Sequence, residues 1–269
     1  MKMSDPIVGD AIAAIDAGDI TTLDTLLSGH PYLLTNRITN GEDGYFADPY
    51  LLWFVAENPI RNERLPPNIV QVAKAIIAHL DRLAPASRQH QLDYTVELAA
   101  TGRVPRECGV QLALIDALVG HGARAGGLDT TVAHGEFGAA LRLVHHGAPL
   151  TLTAAIGLGL QDEAARLLRS SDADARADAL VVAASLGLKA GVAMLLDAGV
   201  DPNLRSTRLH RHATVLHEAA LTGDQALCDL LVAAGASRSI HDDLWNGTPS
   251  GWARHVGHEA LARHLEAVQ

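Results

Sequence analysis

The stretch from Ala213 to Ala236, ATVLHEAALTGDQALCDLLVAAGA, constrains this chain most, because its pattern recurs. A short apolar segment with paired alanines ends at Gly223, and a leucine-rich segment then closes at Gly235, 12 residues later. The same interval separates Gly187 from Gly199 and Gly135 from Gly147. Gly159, Gly257 and Gly18 keep an alanine four residues before and a leucine in the segment after, although Ser171 replaces the second glycine of the Gly159 unit. A glycine tolerates the positive φ that ends a helix, so each unit reads as helix, tight turn, helix. In the best copy the helices are expected over 215–221 and 225–234, the second with Leu227, Leu230 and Leu231 on one face. Such pairs are too short and one-sided to fold alone, so neighbours must stack to bury them.

Composition agrees with close helix packing. Hydrophobic residues are 48% of the 269 and aromatics only 4%, which leaves Ala, Leu and Val to build the core. A β-sandwich would draw more on β-branched and aromatic residues. The expected fold class is all-α: a helix-turn-helix repeat solenoid of about eight irregular repeats, running as a single array over residues 1–269.

The stretch ATVLHEAALTGDQALCDLLVAAGAS resembles the ankyrin repeat, with its T-P-L-H-x-A-A start, turn glycine and closing G-A-D. Thr214, Leu216, His217, Ala219, Ala220, Gly223, Gly235 and Ala236 match, and Val215 stands in place of the proline. The next copy keeps Gly247, Thr248, Pro249, Ala253 and Gly257, with Gly251 where the histidine falls. The resemblance implies that Thr214 and His217 fix the turn and first helix by hydrogen bonds. It is strong from about residue 128 to the end; residues 1–127 read as degenerate repeats with long insertions. Successive turn glycines lie 24, 28, 36 and 34 residues apart from Gly135 to Gly257, so two units lack room for a full turn finger. In the N-terminal part, Glu57–Pro67 reads as a long connection, with Pro66 and Pro67 starting the next helix. Gly102 reads as a turn beside an insertion at Arg103–Glu107. Stacking is expected to bring these two connections together on the edge opposite the turn fingers. Arg61, Arg64, Arg103 and Arg106 would then face Glu57, Glu63 and Glu107.

Motifs for chemistry fail at the position that matters. His217-Glu218 and His258-Glu259 begin an H-E-x-x-H pattern, but Leu221 and Ala262 occupy the second ligand position. There is no G-x-G-x-x-G, no P-loop and no G-x-S-x-G nucleophile elbow. Cys108 follows an Arg-Glu pair with no base assigned to it, and Cys228 sits among leucines as an inert core thiol. The expectation is no catalytic residues, no metal and no cofactor. A net charge of -10 argues against nucleic acid. The N-terminus does not read as a secretory signal, the longest apolar run (179–188) is too short for a bilayer, and two distant cysteines suit a reducing cytoplasm.

The function expected is that of a non-enzymatic scaffold binding another protein through its concave face and turn fingers. The alternative is an enzyme or metal-dependent module with its site in the irregular N-terminal half. Two surfaces are candidates for the partner. Tyr32, Tyr45, Phe46, Tyr50, Trp53 and Phe54 cluster within 23 residues, either as a larger core or, through Trp53 and Phe54, as an interface anchor. The other is the basic finger NLRSTRLHRHAT, where Arg205, Arg208, His210 and Arg211 occur with no acid between Asp201 and Glu218. It reads either as a solvated turn or as a contact for an acidic partner segment, with Trp245 in the next finger as its apolar flank.

Overall fold

The computed structural model describes residues 1–2, 5–39, 41, 47–206, 208 and 211–267. The described residues are helical, with no strand among them and an isolated bridge between Lys2 and Thr39. The chain divides into two compact units, Met1–Thr131 with Gly138–Pro149, and Val132–Phe137 with Leu150–Gln269.

The first unit contains α1 (Pro6–Ala17), α2 (Ile20–Gly29), α3 (Tyr32–Thr35), a 3-10 helix (Leu51–Ala56), α4 (Ile69–Leu83), α5 (Arg88–Thr101), α6 (Arg103–Glu107) and α7 (Gln111–Gly120). After them, α8 (Leu128–Ala133) crosses the division, and most of α9 (Phe137–His145) belongs to this unit. The 3-10 helix is its centre, packed against α1, α3, α4 and α5. All six of its side chains are buried, Trp53 and Phe54 among them. Their expected place on a partner surface is therefore corrected. Trp53 is 4% exposed, its ring lies 4.4 Å from that of Tyr94, and Arg37 covers it at 5.4 Å. A run of six apolar residues in a short helix surrounded by four others has no face left for solvent. Tyr45 and Phe46 lie outside the described residues.

The long connection after this helix is stapled from within. Glu57 takes a left-handed conformation, φ 56°, and its buried carboxylate accepts the backbone N–H groups of Arg61, Asn62 and Glu63 at 2.9, 2.5 and 3.1 Å. Arg61 bridges Glu57 at 2.9 Å and Asp16 at 2.6 Å. Pro66 and Pro67 precede the helix they were expected to start, since α4 begins at Ile69. The second insertion, Arg103–Glu107, is the short helix α6. The two insertions do adjoin: Arg103 lies 3.4 Å from Glu63, and the Leu65 N–H donates to Cys108 Sγ at 3.3 Å. Glu57, however, faces inward and takes no part in an outer charge patch. Gly102 is not a left-handed turn either. Its φ is -78°, and the glycine is needed because a Cβ would sit 2.8 Å from the Leu98 carbonyl oxygen.

The second unit is regular. It contains α10 (Leu152–Gly157), α11 (Gln161–Ser170), α12 (Ala173–Ser185), α13 (Lys189–Asp197), α14 (Val215–Leu221), α15 (Gln225–Ala233), α16 (Pro249–His255) and α17 (Glu259–Ala267). The first helices α10, α12, α14 and α16 pack in chain order, and each also packs on its own second helix. The turn glycines Gly159, Gly187, Gly223 and Gly257 all have positive φ, as do the closing Gly199 and Gly235. Gly18, Gly135 and Gly147 in the earlier registers do likewise. Alanines at 155, 183, 184, 219, 220 and 253 line the shared core and let the first helices approach closely. The α14 helix occupies the expected residues, and Leu227, Cys228 and Leu231 of α15 are buried. Burial pushes the Cys228 thiol up to about 12, which keeps it protonated and inert.

Candidate functional site

Two loops of the second unit carry the site: the finger over 201–214 that leads into α14, and the finger over 237–248 that leads into α16. The first is closed by Thr214 and His217. His217 Nδ1 lies 2.8 Å from Thr214 Oγ1 and accepts the Thr214 N–H at 3.2 Å, and Nε2 meets the Gly247 carbonyl at 3.1 Å. These bonds put the ring proton on Nε2, so this fully buried histidine fastens one finger to the next. Asn203 adds a second link, donating to the Gly235 carbonyl at 2.9 Å and accepting the Ser237 N–H at 2.7 Å.

The second finger is organised by one carboxylate. Asp242, almost wholly buried, accepts the backbone N–H groups of Leu244, Trp245 and Gly247 at 2.9, 2.7 and 2.7 Å. It also accepts the Trp252 indole N–H at 3.0 Å. Burial alone would push this carboxyl up. The bonds from Trp245, Trp252, Gly247 and Leu244 outweigh it and hold the group well below the usual carboxylate range. A side chain at Gly247 would meet Asp242 at 3.0 Å and Trp252 at 3.1 Å, so the turn closes tightly only on glycine.

With its backbone fixed in this way, Trp245 stands 69% exposed beside Leu244 at 63%. A groove of about 740 Å³ opens next to it, lined by His212, Glu218, Leu221, Trp245, Trp252 and His255, with backbone at Gly247 and Gly251. The rings of His212, Trp245 and Trp252 meet edge-on or tilted, with centroids 5.2 to 5.7 Å apart.

The basic finger presents less charge than its sequence. Arg205 is paired with Asp243 and donates to the His241 carbonyl at 2.7 Å. Arg208, 62% exposed, donates through Nε to the fully buried Asp178 at 2.5 Å, and Ser206 Oγ donates to the other oxygen of Asp178 at 2.5 Å. Both acids come from other elements, α12 and the second finger. Arg211 lies exposed in a neighbouring cleft of about 720 Å³ with Arg208, His212, Asp243 and Leu244. His210 lies outside the described residues. The structure therefore places Trp245 and Arg211 in two clefts that share His212, and it places Trp53 and Phe54 in the core of the other unit. None of His212, Glu218, Trp252 and His255 is among the partner-binding residues expected from sequence. The signal for Asp242 was legible, since an Asp two and three residues before the N–H groups it binds is the Asx-turn pattern. Among the described residues no group of three or more His, Cys, Asp and Glu is placed to hold a metal ion, and no helix is long and apolar enough to cross a membrane.

No family model matches the chain. A stretch of 91 residues is 36% identical to a curated protein of Bos taurus named "Inactive serine/threonine-protein kinase TEX14", and 35% identical to the Mus musculus protein of the same name. The match takes in 34% of this chain and 6% of each relative, so the chain spans a small part of their length.

Proposed function

We propose that this chain is a non-enzymatic, ankyrin-type scaffold, an array of about eight irregular repeats that binds another protein in the cytoplasm through the turn fingers and groove of its second unit. The ankyrin reading is supported by the Thr214–His217 capping box, by the left-handed turn glycines at the recurring positions and by the ordered packing of α10, α12, α14 and α16. The observation that carries the binding role is Trp245: a large aromatic held out to solvent by a backbone that a buried carboxylate has already fixed. A preorganised aromatic beside an apolar groove binds with little ordering cost, which is the character of interface hot spots. Any acidic segment of the partner has Arg211 as its contact, because Arg205 and Arg208 are engaged within the protein.

The test is capture of partners by the immobilised full chain and by its Trp245→Ala variant. The exposed indole leaves the fold intact when removed, so circular dichroism should be unchanged. Binding of the captured partner should weaken by about 10-fold or more, the loss of roughly 2 kcal/mol expected of a hot spot. A partner held equally well by both proteins would place the interface elsewhere.

A further inference from the structure

The groove beside Trp245 has a chemical character of its own. Its lining includes two indoles, at 60° to each other with centroids 5.7 Å apart, which form a corner rather than a stack. His212 adds a third ring, 5.2 Å from Trp245 and 5.6 Å from Trp252. Glu218 brings a carboxylate to the same lining although the residue is only 2% exposed, and no lysine or arginine is among the described lining residues. Asp242, behind the Trp252 indole, adds a second negative group at 3.0 Å from its Nε1. The faces of indole rings carry negative electrostatic potential, and a carboxylate in a water-poor recess strengthens it. Apolar walls with negative potential suit a cation that is large and weakly hydrated.

We infer that this groove is a receptor for an organic cation carried by the partner, the alkylammonium or guanidinium head of a lysine or arginine side chain. The head packs against Trp245 and Trp252 with Glu218 as its counter-charge. The inference rests on the scaffold reading and specifies the chemistry that the scaffold recognises at this point. Of the nearby arginines, Arg205 is turned to Asp243 and the His241 carbonyl, and Arg208 donates to Asp178. Arg211 lies in the neighbouring cleft, so a partner segment with a basic residue at the groove and an acidic one beside it would match both.

The chain has three tryptophans, which makes the test direct. The indole N–H signals of the full-length protein are followed by NMR while choline, arginine amide or dimethylbutanol is added. Dimethylbutanol is the uncharged carbon isostere of choline. Trp53, buried in the first unit, is the internal control. The expected result is saturable shifts of the Trp245 and Trp252 signals with both cations, an unmoved Trp53 signal, and binding of the isostere weaker by about tenfold or more. Glu218→Gln should weaken the cations and leave the isostere unchanged. Where that variant fails to fold, the comparison of choline with its isostere decides alone. Equal binding of choline and dimethylbutanol would overturn the inference in favour of a plain apolar groove, and so would the absence of shifts with either cation. In both cases a captured partner that still depends on Trp245 would leave the scaffold reading standing.

Discussion

His217 shows what a single residue does in this protein. Its ring has no exposed surface and uses both nitrogens, one on Thr214 and one on the Gly247 carbonyl. Burial, the largest influence, lowers its affinity for a proton below the ordinary 6.5, although Gly247, Asp242 and Glu218 pull the other way. The unfolded chain therefore takes up the proton first. The stability this residue contributes is full above about pH 6.5 and declines as the pH falls through and below that value. Urea midpoints measured from about pH 7.5 down to 5.5 should drop, and His217→Gln should be less stable at the upper end with a flatter profile. A profile as steep in the variant would assign the dependence to another group. Two turn glycines offer a matched comparison. Gly187 has φ 69° with nothing within 4 Å of an added Cβ, whereas Gly223 has φ 73° and a Cβ there would meet the His258 ring at 2.7 Å. Gly187→Ala should cost about 1 kcal/mol from backbone strain alone. Gly223→Ala should cost more, about 2–3 kcal/mol, because the ring must also move and forfeit its bond to the Leu221 carbonyl. Equal losses in thermal unfolding would show that the His258 contact carries no weight.

At the scale of elements, the two fingers are ordered by carboxylates rather than by ladders of backbone bonds. Asp242 holds the second finger through four donors, and Asp178 anchors the first through Ser206 and Arg208. Asp242→Ala leaves three backbone N–H groups and an indole without their acceptor. It should destabilise by about 2–3 kcal/mol, since bonds to charged acceptors are the stronger kind. Trp252 emission should shift to the red as its ring is released. Unchanged emission and melting temperature would mean that the turn holds without its carboxylate. The same accounting changes what the arginines can be used to test. Arg208→Ser abandons a carboxylate that is fully buried, so its first effect is on stability, whereas Arg211→Ser alters only the surface.

For the whole molecule, packing in chain order has a consequence for how damage spreads. In the second unit each first helix meets the first helices before and after it and its own second helix, so stability is a sum of near-neighbour terms. Gly223→Val should accordingly speed amide hydrogen exchange in α12, α14, α15 and α16 and leave α1 and α2 of the first unit protected. Uniform loss of protection through both units would instead mark one cooperative array. The first unit follows another plan, with helices gathered around the buried 3-10 segment and its following connection tied down by Glu57 and Arg61.

The all-helical class of the described residues, the helix pairs of the second half and the positions of their turns are legible in the sequence alone. Those features are local: a glycine at a helix end, an apolar stripe at helical spacing and a Thr-to-His cap all act within a few residues, and Gly159, Gly187, Gly223 and Gly257 adopt the conformation their spacing implies. Trp245 too was visible, as an aromatic in a turn. Which charges are paired and which aromatics face out follows from packing between distant parts of the chain. Arg205 and Arg208 look unopposed along the chain because their acids, Asp243 and Asp178, lie 38 and 30 residues away. Trp53 and Phe54 look like a patch until four helices close around them. The groove is likewise assembled from His212, Glu218, Trp245 and Trp252, which belong to two fingers and two helices. Burial and pairing depend on what arrives from elsewhere in the chain, and no local pattern records those arrivals.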